Sequence, residues 1–244
     1  MRFPFLAGQI LAKDYNLRFN TLNYGVRGST TQDSINLLMY LNRYQDPVYI
    51  VMMQNDNDLM WLNNCLSYKY YPIDESVNDS ILDFIAGQLK YKSNILYLII
   101  YTLEKYNILP TRFPGNQKPA DYIIEEINKK RLTAGKNYLF GSFVKQYTEN
   151  LKIFIEICRI CKIRPVLMTQ PMCIKNDGII QFNHVIRDVC KKQKVPLIDL
   201  AEAFPSDNDK LFYDKVHFNN EGSKVAAEII AKRFYEIIIS DKIF

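Results

Sequence analysis

From residue 143 onward, strand-length apolar runs alternate with helix-period stretches, and this order constrains the fold more than any other feature. Val144, Tyr147, Leu151, Phe154, Cys158 and Cys161 recur at steps of three and four, which predicts a helix over 143–161. A compact apolar run at 164–169, closed by Gln170-Pro171, predicts a strand. A second helix is expected over 182–192 and a second strand over 195–200. A long helix follows over 221–239, with Val225, Ile229, Ile230 and Phe234 on one side. Strands and helices alternating at these lengths imply a parallel sheet with helices on both faces.

The first part of the chain fits the same pattern. Residues 4–12 read as a short amphipathic helix, and 19–26 as a β-leaning run ending in the turn Tyr24-Gly-Val-Arg-Gly28. Thr30 can cap the next helix, with Asp33 in its first turn. Ile35, Leu38, Met39 and Leu41 would face the core. The continuous apolar run 48–53 reads as a strand buried on both faces. It ends in Gln54-Asn-Asp-Asn-Asp58, a polar loop at the edge where open α/β sheets take ligands. Residues 60–140 break the rhythm with Pro110, Pro114, Gly115 and Pro119. They read as a mostly helical insertion, with helices near 80–106 and 120–131. A lid and ordinary surface helices both fit it.

Composition narrows the class. A chain of 244 residues, 48% of them hydrophobic, suits one domain spanning 1–244 with a substantial core. The net charge of +5 is scattered, and Lys129-Lys130-Arg131 and Lys191-Lys192 are too short for a nucleic-acid footprint. Five cysteines do not suggest a disulfide scaffold. Cys158 and Cys161 form a C-x-x-C, yet they also continue the helix stripe, and no second pair completes a zinc site. No metal or cofactor is expected. Met1-Arg-Phe-Pro-Phe-Leu6 lacks the apolar core of a secretory signal. The greasiest run, 95–103, is followed by Glu104 and falls far short of the ~20 residues of a membrane helix. The chain reads as soluble, and its localisation stays open.

The chemistry concentrates in Asp214-Lys-Val-His217, just ahead of the last helix. An acid three residues before a histidine can hold one ring nitrogen while the other acts as base. Two further polar stretches, Asn23-Tyr-Gly-Val-Arg-Gly28-Ser-Thr-Thr31 and Asn55-Asp-Asn57-Asp58, precede it in the chain. Together the three resemble the blocks of the SGNH (GDSL-type) hydrolases, which are esterases and acylhydrolases. The resemblance covers nearly the whole chain except 60–140. It implies a flavodoxin-like α/β/α sandwich with a parallel sheet. It also implies a small-molecule, carbohydrate or lipid ester as substrate. By resemblance Gly28 lends a backbone N–H to an oxyanion hole and Asn57 adds its amide, with Asn55 as the alternative donor. Asp214 and His217 would be the acid and the base.

The sequence departs from the family in two places. Asn55 stands where the third block has glycine, which leaves the Asn57 and Asn55 alignments both open. No stretch matches the G-D-S block that carries the family's serine and its first strand. The resemblance therefore implies a chain that starts after its nucleophile and lacks the first strand. Such a chain would be inactive as it stands, and a pseudoenzyme serving as a binding module is the alternative. Ser29 remains as an internal candidate nucleophile, although helix capping is its expected role. Asp56 or Asp58 is expected to be structural, His184 a helix-face residue, and Asp199 a strand-end hydrogen bonder. Trp61, Tyr68, Tyr70 and Tyr71 are candidates for a pocket wall or for half-buried packing.

Overall fold

The computed structural model describes residues 3–26, 28–41, 46–66, 68, 136–207 and 209–241. They belong to one contact unit made of 1–68 and 134–244. The helices expected near 80–106 and 120–131, together with Tyr70 and Tyr71, lie outside the described residues.

Three parallel strands form the described sheet: β1 (Tyr49–Met52), β2 (Arg164–Met168) and β3 (Leu197–Ile198), in the order β1-β2-β3. Tyr49 lies opposite Arg164, Met52 opposite Leu167, and Leu167 opposite Leu197. The helices are α1 (Phe3–Asp14), α2 (Thr31–Leu41), α3 (Asp56–Cys65), α4 (Lys136–Ile160), α5 (Asp177–Gln193), α6 (Leu200–Ala203) and α7 (Asn220–Ser240). Because successive side chains on a strand point to opposite faces, β2 feeds two cores. Val166 and Met168 join Ala7 and Leu11 of α1 and Ala226, Ala227, Ile230, Ala231 and Phe234 of α7 in one apolar cluster. Leu167, 1% exposed, faces the other way, toward α4 and α5. On that side Tyr147 stacks on Phe182, with ring centroids 4.3 Å apart. The layers are those of an α/β/α sandwich, the expected fold class.

The stripe of α4 is buried as its spacing requires, with Tyr147, Leu151, Phe154 and Cys158 each at most 1% exposed. Burial pushes the Cys158 thiol up to about 12, which suits a packing residue. Several expectations need correction. Helix α5 starts earlier than 182, because Asn176 accepts from Gly178 N and Ile179 N and so caps it there. Strand β3 is cut short because the Asp199 carboxylate accepts from Glu202 N and opens α6. Arg187 grips the same carboxylate at 2.7 and 2.9 Å. Met39 is 55% exposed, since Ile35, Leu38 and Leu41, at steps of three, already fill the buried face of α2. The run 19–26 forms no strand and joins no ladder among the described residues, and Leu22, Tyr24 and Val26 are exposed.

Strand β1 is not buried on both faces. It is an edge of the described sheet, and Val51 is 40% exposed. Among the described residues, no helix is long and apolar enough to cross a membrane.

Candidate active site

The Asp214–His217 segment sits in a tight loop ahead of α7. Tyr213 N donates to His217 O at 2.7 Å and Asn219 N to Leu211 O at 3.0 Å, pinching residues 211–219 into a hairpin-like turn. Phe212 and Phe218 pair across it and pack with Phe204, and Phe3 of α1 meets Phe218 edge-on. This aromatic base buries the root of the loop and leaves its tip in solvent. Asn219 caps α7 through Gly222 N at 3.0 Å and ties back to Lys210 O at 2.6 Å. Gly222 has a steric reason to be glycine, because a Cβ there would lie 1.9 Å from Leu211 O.

Within the loop, Asp214 Oδ1 accepts from Val216 N at 3.0 Å and His217 N at 2.8 Å. His217 Nδ1 lies 2.8 Å from Asp214 Oδ2 and 3.0 Å from Oδ1. The Val216 N–H leads in lowering the Asp214 carboxyl to about 2, with the His217 backbone and ring adding to it. An ionised carboxylate only accepts, so Nδ1 must donate, which leaves Nε2 as the lone-pair nitrogen of the neutral ring. The His217 side chain is 70% exposed.

The second part of the site forms where the N-termini of α2 and α3 meet. Gly28 adopts φ +79, a left-handed conformation that glycine reaches without strain. Asn57 Nδ2 donates to Ser29 O at 2.8 Å, one residue past Gly28. Thr30, not Ser29, occupies the capping position of α2: its N and Oγ1 donate to Asp33 Oδ2 at 2.8 and 3.2 Å. Among the described contacts Ser29 bonds through its backbone, with N donating to Val26 O. The Asn55 amide takes a different route. Its side chain is 1% exposed and donates to Asn183 Oδ1 at 2.8 Å and Ile179 O at 3.3 Å, beneath α5.

Asp58 is fully buried. Its carboxylate accepts from Thr31 N at 3.0 and 3.1 Å, from Thr31 Oγ1 at 2.6 Å, and from the Tyr68 hydroxyl. Burial pushes its carboxyl up to about 6 against the lowering effect of those donors. Asp56 links the two parts of the site. Burial raises its carboxyl most, and the charges of His217, Asp214 and Lys215 all act on it, so the start of α3 lies within electrostatic reach of the Asp214–His217 loop. Asp56 N also donates to Gln170 Oε1 at 3.3 Å, and Cys173 N to Lys215 O at 2.9 Å. The loop after β2 therefore touches both sides. Sequence reasoning missed Gln170, Asn183 and the partners of Asp58, because each contact joins residues distant in the chain. His184 is exposed on α5, as a helix-face residue should be. Among the described residues, no cluster of His, Cys, Asp or Glu could hold a metal ion.

Solved structures share this fold. A catalytic mutant of Axe2, an acetylxylan esterase from Geobacillus stearothermophilus, superposes with a TM-score of 0.54 at 13% identity, covering 98% of this chain and 81% of that one. A further Axe2 mutant, described as an acetyl-xylooligosaccharide esterase, gives 0.51 at 14% identity over 97% and 80%. LAE5, an alpha/beta hydrolase enzyme from the metagenome of Lake Arreo in Spain, gives 0.52 at 14% over 96% and 80%. The fold that the SGNH resemblance implied is the fold of this chain. No family model matches the sequence. No curated protein matches it either.

Proposed function

We propose that this chain is a carboxylic-ester hydrolase of the SGNH type, with Gly28 and Asn57 as oxyanion donors and Asp214 and His217 as the acid–base pair. The observation that carries the reading is the 2.8 Å contact between His217 Nδ1 and Asp214 in an exposed loop. That contact fixes the tautomer a general base needs. Nε2 takes the proton of the attacking group, a water molecule or the Ser29 hydroxyl, as its oxygen bonds to the ester carbon, and returns that proton to the leaving alcohol, while Asp214 stabilises the imidazolium. The negative charge that develops on the ester oxygen would fall to the Gly28 N–H and the second hydrogen of Asn57 Nδ2, whose first is given to Ser29 O. Asn57 suits this role better than Asn55, whose amide is committed beneath α5.

The shared fold supports the reading. In Axe2, catalytic mutants replace a serine, an aspartate and a histidine, the last two three residues apart, which is the spacing of Asp214 and His217. An acetylated carbohydrate is therefore the first substrate class to try. We assign no residue of this chain as the serine of an acyl-enzyme route. Ser29 is the internal candidate, placed beside both donors.

In serine hydrolases that lose a triad member, oxyanion donors and substrate binding alone sustain roughly 10³–10⁴-fold catalysis over water, which sets the upper level to look for here. The test is the hydrolysis of p-nitrophenyl acetate and acetylated xylo-oligosaccharides by the 244-residue chain, with His217→Ala, Asn57→Ala and Ser29→Ala variants. Turnover above buffer that falls with the first two substitutions supports the site. Turnover indifferent to both sinks it. A fluorophosphonate adduct on Ser29, with loss of turnover in Ser29→Ala, would make that serine the nucleophile. Binding of the acetylated sugar without turnover would establish the alternative, a binding module.

A further inference from the structure

Asn57 and Asp58 are neighbours on the first turn of α3, and together they hold both ends of the three-residue stretch that follows Gly28. Asn57 Nδ2 holds Ser29 O at 2.8 Å. Asp58 holds Thr31 through its N–H at 3.0 Å and its hydroxyl at 2.6 Å. Two anchors two residues apart leave the intervening backbone little freedom, and Gly28 lies one residue outside the nearer anchor. Without such anchors glycine would be the most mobile point of the turn, since φ +79 is one of many conformations open to it.

The far side of the clip is braced as well. The Tyr68 hydroxyl donates to Asp58, and Asn150 Nδ2 of α4 donates to Thr31 Oγ1 at 3.2 Å. Gln146, also on α4, accepts from Tyr68 N at 3.2 Å and donates to Leu66 O at 3.1 Å. Thr31 and Asp58 are each 0% exposed and Asn150 7%. Burying a carboxylate is costly, and simple capping of α2 does not require it, because Asp33 already supplies a local acceptor. What the buried carboxylate adds is a fixed distance between the start of α2, which follows Gly28 in the chain, and the start of α3, which carries Asn57.

We propose that Asp58, acting through Thr31, is the positioning residue that sets the Gly28 N–H against the Asn57 amide. This rests on the ester-hydrolase reading for its purpose, though not for its geometry. Oxyanion donors act through preorganisation, so a loosened clip costs transition-state binding and leaves ground-state binding nearly unchanged.

The test compares the full chain with Asp58→Ala, Asp58→Asn, Thr31→Val and Thr31→Ser. Nuclear magnetic resonance would follow the Gly28 backbone amide, the Asn57 side-chain amide and, as a control, the Tyr213 amide of the acid–base loop. Asp58→Ala is expected to broaden or multiply the Gly28 and Asn57 signals and to speed Asn57 amide exchange at least tenfold, while Tyr213 stays fixed. Asp58→Asn and Thr31→Val should show a smaller change of the same kind, and Thr31→Ser should restore the wild-type pattern. If Asp58→Ala does not fold, the three milder variants decide. On ester substrate, kcat should fall roughly tenfold or more, with KM within about threefold. Unchanged Gly28 and Asn57 signals in destabilised variants would overturn the proposal and leave Asp58 a packing residue. Absence of turnover in the wild-type chain would count against the ester-hydrolase reading alone, because the resonance measurements judge the clip independently.

Discussion

The Asp214–His217 loop and the α2–α3 junction each hold a carboxylate in place, by opposite means. In the loop, Asp214 reaches His217 across three residues in solvent, and the backbone donors that tune it come from the same turn. At the junction, Asp58 reaches Thr31 across 27 residues with no exposed surface. The Asp214–His217 contact is local, although Phe212 and Phe218 root the loop in the core that Val166 and Met168 of β2 also fill. The junction is a tertiary device that exists only once α2, α3 and α4 have packed.

The sharpest way to break this comparison is to remove the base. His217→Ala should reduce ester turnover by about 10²–10⁴, the usual range for general base catalysis. It should hardly alter the melting temperature, because the ring is 70% exposed. Steady-state kinetics beside a thermal melt would check both. A variant that loses stability without losing turnover would make His217 part of the scaffold.

On the junction side, Asn57→Ala should cost about 10²–10³ in kcat. Asn55→Ala should act differently. It removes buried bonds to Asn183 and Ile179, so a stability loss of about 1–3 kcal/mol is expected, seen as a lower urea midpoint. The pair discriminates the two alignments that sequence left open. If Asn55→Ala abolishes turnover in a chain of normal stability, the donor is Asn55.

This contrast also explains what the sequence could reveal. The contact between Asp214 and His217 was legible because three-residue spacing brings the two together, and the stripe of α4 because its period is the burial. Strand β2 was legible because both of its faces are covered. Strand β1 misled, because an unbroken apolar run implies two covered faces, and Val51 is 40% exposed. Strand β3 is shorter than its apolar run, because Asp199, the hydrogen bonder at its end, caps α6 and pairs with Arg187. Nothing at position 58 distinguishes an aspartate held by Thr31 from the exposed acids elsewhere in the chain. Its partner lies 27 residues away, and a hydrogen bond between such distant residues leaves no signature in a single sequence.

The two aspartates further differ in the sign of their pH dependence. Asp58 has its folded pKa raised to about 6, mainly by burial. Between its unfolded value and that point, the folded chain binds more protons than the unfolded one, so stability grows as pH falls through 6. The difference between the wild-type chain and Asp58→Asn, measured by urea unfolding, should therefore shift by roughly 2 kcal/mol in favour of the wild type from pH 7 to pH 4.5. A difference that stays constant across this window would mean that Asp58 is not buried as a carboxylate.

Asp214 should show the weakest effect and the opposite sign. Its carboxyl is lowered to about 2, first by the Val216 N–H, so its contribution is present above the ordinary carboxylate range and is lost as pH falls toward 2. Its side chain is 45% exposed, so solvent screens the pair and the stability at stake is small, within about 1 kcal/mol. Asp214→Asn at pH 7 should accordingly melt within a few degrees of the wild type while leaving His217 without its orienting acceptor. If ester turnover then collapses in a chain of unchanged stability, the acid–base loop is built for chemistry. If turnover holds and stability falls, the hydrogen bonds to Val216 and His217 are the purpose of Asp214, and the loop is only the lead-in to α7.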